Sequence, residues 1–179
     1  MVVVFLANGF EEMEALVTVD VLRRAELDVC TVGIGGRTVI GSHNIAVTAD
    51  VSDDEWQETD YEAVILPGGM PGTLHLEHSA LVQQTVDRAV REGKWLCAIC
   101  AAPSILGHKG LLQGKQATCF PGFEQELIGA QICADGVVCD GNIITAKGAG
   151  VALDFALCIV ERLLSKEIAD KLGETMQCQ

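Results

Sequence analysis

The chain predicts an α/β fold built on a mostly parallel sheet with helices covering both faces. Three observations carry this expectation. Short apolar runs alternate with longer amphipathic stretches from one end of the chain to the other, the signature of strand–helix–strand units. The runs are apolar at nearly every position, as strands buried on both faces must be. Finally, 49% of the 179 residues are hydrophobic, enough for a proper core without disulfide staples. Aromatic residues make up only 4%, so Val, Ile, Leu and Ala must build that core.

The elements follow in order. Residues 2–7 read as a strand, and 11–26 as a helix with Met13, Leu16, Val17 and Val21 on its inner face. A second strand covers 29–34. Residues 37–40 and 44–49 form a hairpin around Gly41-Ser42, and 50–60 an acidic loop. Residues 63–66 are a strand ending in Pro67-Gly-Gly-Met-Pro-Gly72, followed by a helix at 79–92. A strand at 95–99 turns into a helix at 101–108, with Pro103 where a helix begins. Beyond it come a strand at 116–119, a short helix at 123–129, and a hairpin, 137–139 with 143–146, around Asp140-Gly141-Asn142. The apolar stretch 149–164 reads as a helix that 166–172 extends. No repeat or linker interrupts this pattern, so residues 1–179 are expected to form one domain.

The net charge of −13 argues against nucleic acid and anionic membranes as partners, because phosphate would repel it. No apolar run approaches the length of a bilayer span. The first apolar run lacks a basic flank and reads as a strand, not a signal peptide, so a cytoplasmic location is expected. The eight cysteines fall mostly within apolar runs and read as reduced packing residues.

Parallel sheets place ligands outside the carboxyl ends of their strands. Three features fall there: the turn at 9–14, the loop at 67–72, and Cys100. The first turn lacks a Gly-x-Gly-x-x-Gly phosphate motif, and Glu11, Glu12 and Glu14 would crowd a phosphate. Glu11 and Glu12 read as residues that stabilise a helix start. Glu14, if it faces the cysteine, has the burial and like charge that raise a carboxyl pKa and suit general acid/base work. The glycines of the second loop leave backbone N–H groups open to a substrate oxygen.

Cys100 sits at an elbow, with apolar residues before it and small ones after it in Cys97-Ala-Ile-Cys-Ala-Ala-Pro103. The helix start beyond it favours thiolate. Cys97 and Cys100 are not read as a redox pair. An extended three-residue step spans about 10 Å and puts them on opposite faces, whereas a disulfide needs Cα atoms within about 7 Å. His43, His75, His78 and His108 show no metal-ligand spacing with one another or with a carboxylate cluster, so they read as surface or capping residues and no metal site is expected.

Several stretches together resemble the ThiJ/PfpI family, in the branch of DJ-one and bacterial YajL. They are Glu11-Glu-Met-Glu14, Val19-Asp-Val-Leu-Arg-Arg24, Leu66-Pro-Gly-Gly69, Ala98-Ile-Cys-Ala-Ala-Pro103, Gly148-Ala-Gly-Val and Asp154-Phe-Ala-Leu-Cys-Ile-Val-Glu161. The resemblance implies a flavodoxin-like three-layer sandwich and a homodimer. It makes Cys100 the reactive elbow cysteine and Glu14 the carboxyl that hydrogen-bonds it, with Gly69 and Ala101 supplying N–H groups. It implies no cofactor, and glyoxalase or deglycase chemistry on small carbonyl substrates, oxidation sensing, or chaperone-like protection. Ala101 stands where peptidase-like members carry histidine, and Phe120 where the DJ-one proteins do. Without a histidine base, peptidase activity is not expected. The leading expectation is cofactor-independent aldehyde chemistry with Cys100 as nucleophile. The rivals are an oxidative-stress sensor acting through Cys100 and a redox-linked chaperone.

Overall fold

The computed structural model describes residues 1–57 and 59–178. Its strands are β1 (Val2–Ala7), β2 (Val29–Ile34), β3 (Thr38–Ile40), β4 (Ala46–Thr48), β5 (Val51–Ser52), β6 (Ala63–Leu66), β7 (Trp95–Ile99), β8 (Gln116–Ala117), β9 (Gln131–Ile132), β10 (Val137–Asp140) and β11 (Ile143–Ala146). Its helices are α1 (Glu12–Arg24), α2 (Gly72–His78), α3 (Ala80–Glu92), α4 (Pro103–His108), α5 (Ala152–Leu163) and α6 (Lys166–Thr175).

Seven strands form one sheet in the order β10-β11-β7-β6-β1-β2-β5. Every pair is parallel except the edge pair β10–β11. β1 explains why the apolar runs are continuous. Val2, Val4 and Leu6 pack on one face with Ala15 and Leu22 of α1 and Phe155 and Ile159 of α5. Val3, Phe5 and Ala7 pack on the other with Val82 and Val86 of α3 and Ile105 of α4. This is the flavodoxin-like sandwich, with its sheet between two helical layers.

Five expectations need correction. Val21 is buried and Val17 packs against the core as expected, but Met13 and Leu16 are exposed, and Glu14, Ala15, Thr18, Val19 and Leu22 complete the buried side of α1. A polar residue is tolerated there because Thr18 donates its hydroxyl to the Glu14 carbonyl at 2.6 Å. The acidic loop contains β5, a two-residue edge strand on β2 that is too short to show a period. The glycine–proline loop runs directly into α2, which buries Thr73 and Leu76. The terminal helix is two helices, because the chain breaks at Leu164 and Ser165 and the Ser165 hydroxyl caps α6 by accepting from the Ile168 N–H at 3.3 Å. Around β8 and β9, a parallel two-residue pair, residues 124–126 form only a short 3₁₀ turn.

Candidate active site

β7 ends at Ile99, and the next residue, Cys100, has φ = +66°. A non-glycine residue held there costs about 1–3 kcal/mol, so its surroundings must enforce it. Two backbone bonds do so: the Cys100 N–H donates to the Ala146 carbonyl, and the Cys100 carbonyl accepts from the Phe120 N–H, both at 2.8 Å. The elbow is therefore tied to β11 on one side and to the segment after β8 on the other.

The loop after β6 closes on this elbow. A Cβ on Gly68 would lie 2.5 Å from the Cys100 Cβ and 2.7 Å from Glu14 Oε2, so only glycine fits. Gly69 has φ = +90°, and a Cβ there would lie 2.5 Å from the Gly9 carbonyl. The Gly68 carbonyl accepts from the Glu11 N–H at 2.9 Å, which locks the loop to the start of α1. The three features at the strand ends thus meet in one place.

At the centre are Glu14 and Cys100. Glu14 is buried, and its Oε2 accepts from the Gly68 N–H at 2.8 Å. The Ala149 N–H and the Cys100 thiol are its further partners. Burial pushes the Glu14 carboxyl up to about 7, against those hydrogen bonds, and the neighbouring Glu11 charge adds to the rise. The half-buried Cys100 sulfur receives the Gly69 and Ala101 N–H groups. Burial first, then the Glu14 charge and hydrogen bond, push the thiol up to about 12. This corrects the expectation of a standing thiolate. α4 has only six residues, and its dipole is outweighed by the buried carboxylate beside the sulfur. Thiolate and carboxylate repel each other in so dry a place, so ionising the sulfur requires Glu14 to hold a proton.

The other sequence features sort as follows. Cys97 and Cys100 both pack against the core on the α1–α5 face, because the left-handed elbow breaks the strand alternation that would have separated them. The eight cysteines are unbridged. Cys119 is buried and lines a separate 280 Å³ cleft with Glu124, Cys133 and Lys147. Burial and the Glu124 charge push its thiol up to about 11.

The histidine reading also needs correction. Tertiary packing brings His43 to Glu11 and Glu12, with ligand atoms within 4.8 Å of one another. Glu12 accepts from the His43 N–H at 2.7 Å, and its Oε2 lies 2.8 Å from His43 Nδ1. Burial opposes ionisation of Glu12, but the His43 and Ser42 donors outweigh it and hold the carboxyl down at about 2. These bonds tie the turn after β3 to the start of α1. His75 donates from Nδ1 to the Asn8 carbonyl at 2.8 Å. His108 lies between Glu77 at 2.5 Å and Glu126 at 2.8 Å.

Sequence reasoning missed three contributors: the Ala149 N–H on Glu14, the space that Gly68 keeps open, and the Phe120 ring near Gly148. The Gly148-Ala-Gly run was the available signal for the first, since an open N–H needs small residues around it. Phe120 was noted in the sequence only as standing where relatives carry histidine, and its nearness to Gly148 needed the fold.

The DJ-1/PfpI family matches residues 1–162. The chain is 38% identical to Protein dj-1beta of Drosophila melanogaster over 174 residues, covering 96% of this chain and 93% of that protein. It is 32% identical over 164 residues to a Caenorhabditis elegans protein named Glutathione-independent glyoxalase DJR-1.2, covering 90% and 87% of the two. The crystal structure of a DJ-1 superfamily protein from Salmonella typhimurium superposes with a TM-score of 0.94 at 37% identity, covering 99% of this chain and 98% of that one. A match across nearly the whole chain, with an elbow cysteine, a glycine loop and a buried glutamate at the strand ends, has one meaning: the chain belongs to the DJ-1/PfpI family.

Proposed function

We propose that the protein converts small 2-oxoaldehydes to 2-hydroxy acids without a cofactor, with Cys100 as nucleophile and Glu14 as the proton carrier. The observation that carries this reading is a buried carboxyl, raised to about 7, hydrogen-bonded to a thiol that also receives two backbone N–H groups. A glyoxalase among the similar proteins supports the substrate class.

The steps balance as follows. The Cys100 proton passes to the Glu14 carboxylate, and the thiolate adds to the aldehyde carbon. A C–S bond forms, the C=O π bond breaks, and the Gly69 and Ala101 N–H groups hold the developing oxyanion. Protonation of that oxygen by Glu14 gives a hemithioacetal and leaves Glu14 as a base. Glu14 then removes the hydrogen from the sulfur-bearing carbon and returns it to the neighbouring carbon of the enediolate, while the hydroxyl proton on the sulfur-bearing carbon passes to the neighbouring oxygen and leaves a carbonyl behind. The product is a 2-hydroxy thioester, with no net oxidation or reduction. Water cleaves it to the 2-hydroxy acid and restores the thiol. A carboxyl poised near neutrality suits both directions of proton transfer.

The test is lactate formation from methylglyoxal in the absence of added thiol. Cys100→Ala should abolish it, and Glu14→Gln should lower kcat by about 10²- to 10⁴-fold. Undiminished turnover by Cys100→Ala would sink the reading. The sensor reading draws on the same N–H pair, which would donate to the oxygens of a Cys100 sulfinate formed by peroxide. Peptide mass analysis after mild peroxide separates it, since a sensor gains two oxygens at Cys100 ahead of the other cysteines.

We also propose that the protein acts as a homodimer. Met13 and Leu16 of α1, with Ile40 of β3 and Ile45 just before β4, are exposed apolar side chains, and a second copy would cover them.

A further inference from the structure

We propose that Phe120 forms the wall of the Cys100 site and selects 2-oxoaldehydes that carry an aromatic or bulky apolar substituent, an inference that rests on the aldehyde reading above. Phe120 is 47% exposed and belongs to neither core, whereas Phe123, three residues on, packs against one. What distinguishes this ring from the other exposed apolar side chains is its position beside the cysteine elbow. The Phe120 N–H donates to the Cys100 carbonyl at 2.8 Å, so the backbone that carries the ring is fixed to the elbow.

The ring edge lies beside Gly148, the glycine that also neighbours the Glu14 carboxyl. A Cβ placed on Gly148 would lie 3.3 Å from Phe120 Cδ2 and 3.7 Å from Glu14 Oε1. The Phe120 ring edge and the proton-carrying carboxyl therefore flank the same glycine, whose missing side chain leaves the edge of the ring uncovered on that side. In the hemithioacetal the aldehyde carbon is bonded to sulfur, and Glu14 must reach both that carbon and its neighbour. The substituent on the neighbouring carbon then lies past the carboxyl, against the ring. An aromatic substituent there gains contact with Phe120 that a methyl group cannot. The Glu11 charge near Glu14 disfavours an acidic substituent at the same place.

The experiment compares kcat/KM for phenylglyoxal and methylglyoxal in wild type, Phe120→Ala and Phe120→Tyr. Wild type should prefer phenylglyoxal. Phe120→Ala should reduce the preference roughly five- to tenfold, and Phe120→Tyr should keep it. A ratio unchanged in Phe120→Ala, with both substrates still consumed, overturns the inference and leaves the aldehyde reading standing. A second measurement does not depend on turnover: the rate of Cys100 alkylation by phenacyl bromide relative to bromoacetone, read by peptide mass analysis. The same loss of ratio in Phe120→Ala supports the wall, and an equal ratio in the two proteins overturns it. Wild type that consumes neither aldehyde would end the aldehyde reading, and with it the substrate preference.

Discussion

At the scale of single residues, the functional question is where one proton resides between Glu14 and Cys100. Burial raises the Glu14 carboxyl from 4.5 to about 7. The sign for stability follows from linkage. Between those values the folded state binds this proton and the unfolded state does not, so stability falls as pH rises through the window. The shift corresponds to about 3 kcal/mol at most. Glu14→Gln should therefore flatten the decline in denaturation midpoint across this range, and an equal slope in both proteins would contradict the buried, raised carboxyl. Gly68 is a second test at this scale. With a Cβ forced to 2.5 Å from the Cys100 Cβ, Gly68→Ala should destabilise by about 1–3 kcal/mol and slow Cys100 alkylation. Chemical denaturation and alkylation kinetics read the two effects.

At the scale of elements, the junctions carry the information. α6 is separate from α5 because Ser165 caps it, and Ser165→Ala should cost about 1 kcal/mol of stability in urea denaturation. A serine at a helix junction was visible in the sequence, but the apolar periodicity on both sides of it suggested one continuous helix. α2 was hidden for another reason. It starts inside a glycine- and proline-rich run, and such residues usually mark a loop. His108, at the end of α4, clamps Glu77 of α2 and Glu126 of the 3₁₀ turn. The two carboxylates raise the imidazole above 6.5. Its contribution is complete below that pH and is lost as pH rises through the folded value. His108→Gln should remove this alkaline loss, and thermal melts on either side of pH 6.5 would show it.

At the scale of the whole molecule, the outward face of α1 bears on the proposed dimer. Met13 is 55% exposed and Leu16 is 37% exposed, so these side chains cost solvent contact unless a partner covers them. Leu16→Glu should shift the protein from dimer to monomer in sedimentation, and a monomeric wild type would remove the proposal. The position of Met13 and Leu16 also shows where periodicity failed. A helix packed on a sheet buries the stripe that best fits the strands, and here that stripe contains Glu14 and Thr18 in place of two larger apolar residues. The site's polar needs overrode the hydrophobic pattern.

What the sequence determined by itself is what local chemistry controls. Continuous apolar runs specify strands buried on both faces, and small residues around Cys100 specify a tight elbow. Glycines at 68 and 69 specify a loop that another backbone can approach closely. These properties depend on a few neighbouring residues, so they can be read in order along the chain. Only the tertiary structure decided that Glu14 is buried and hydrogen-bonded with Cys100, that His43 locks onto Glu12, and that the Phe120 ring edge lies beside Gly148. The Gly68–Glu14 bond joins residues 54 apart in the chain, and a pKa is set by burial and by charges brought in from such distances. The sequence supplied the thiol and the carboxyl, and the fold set which of them holds the proton.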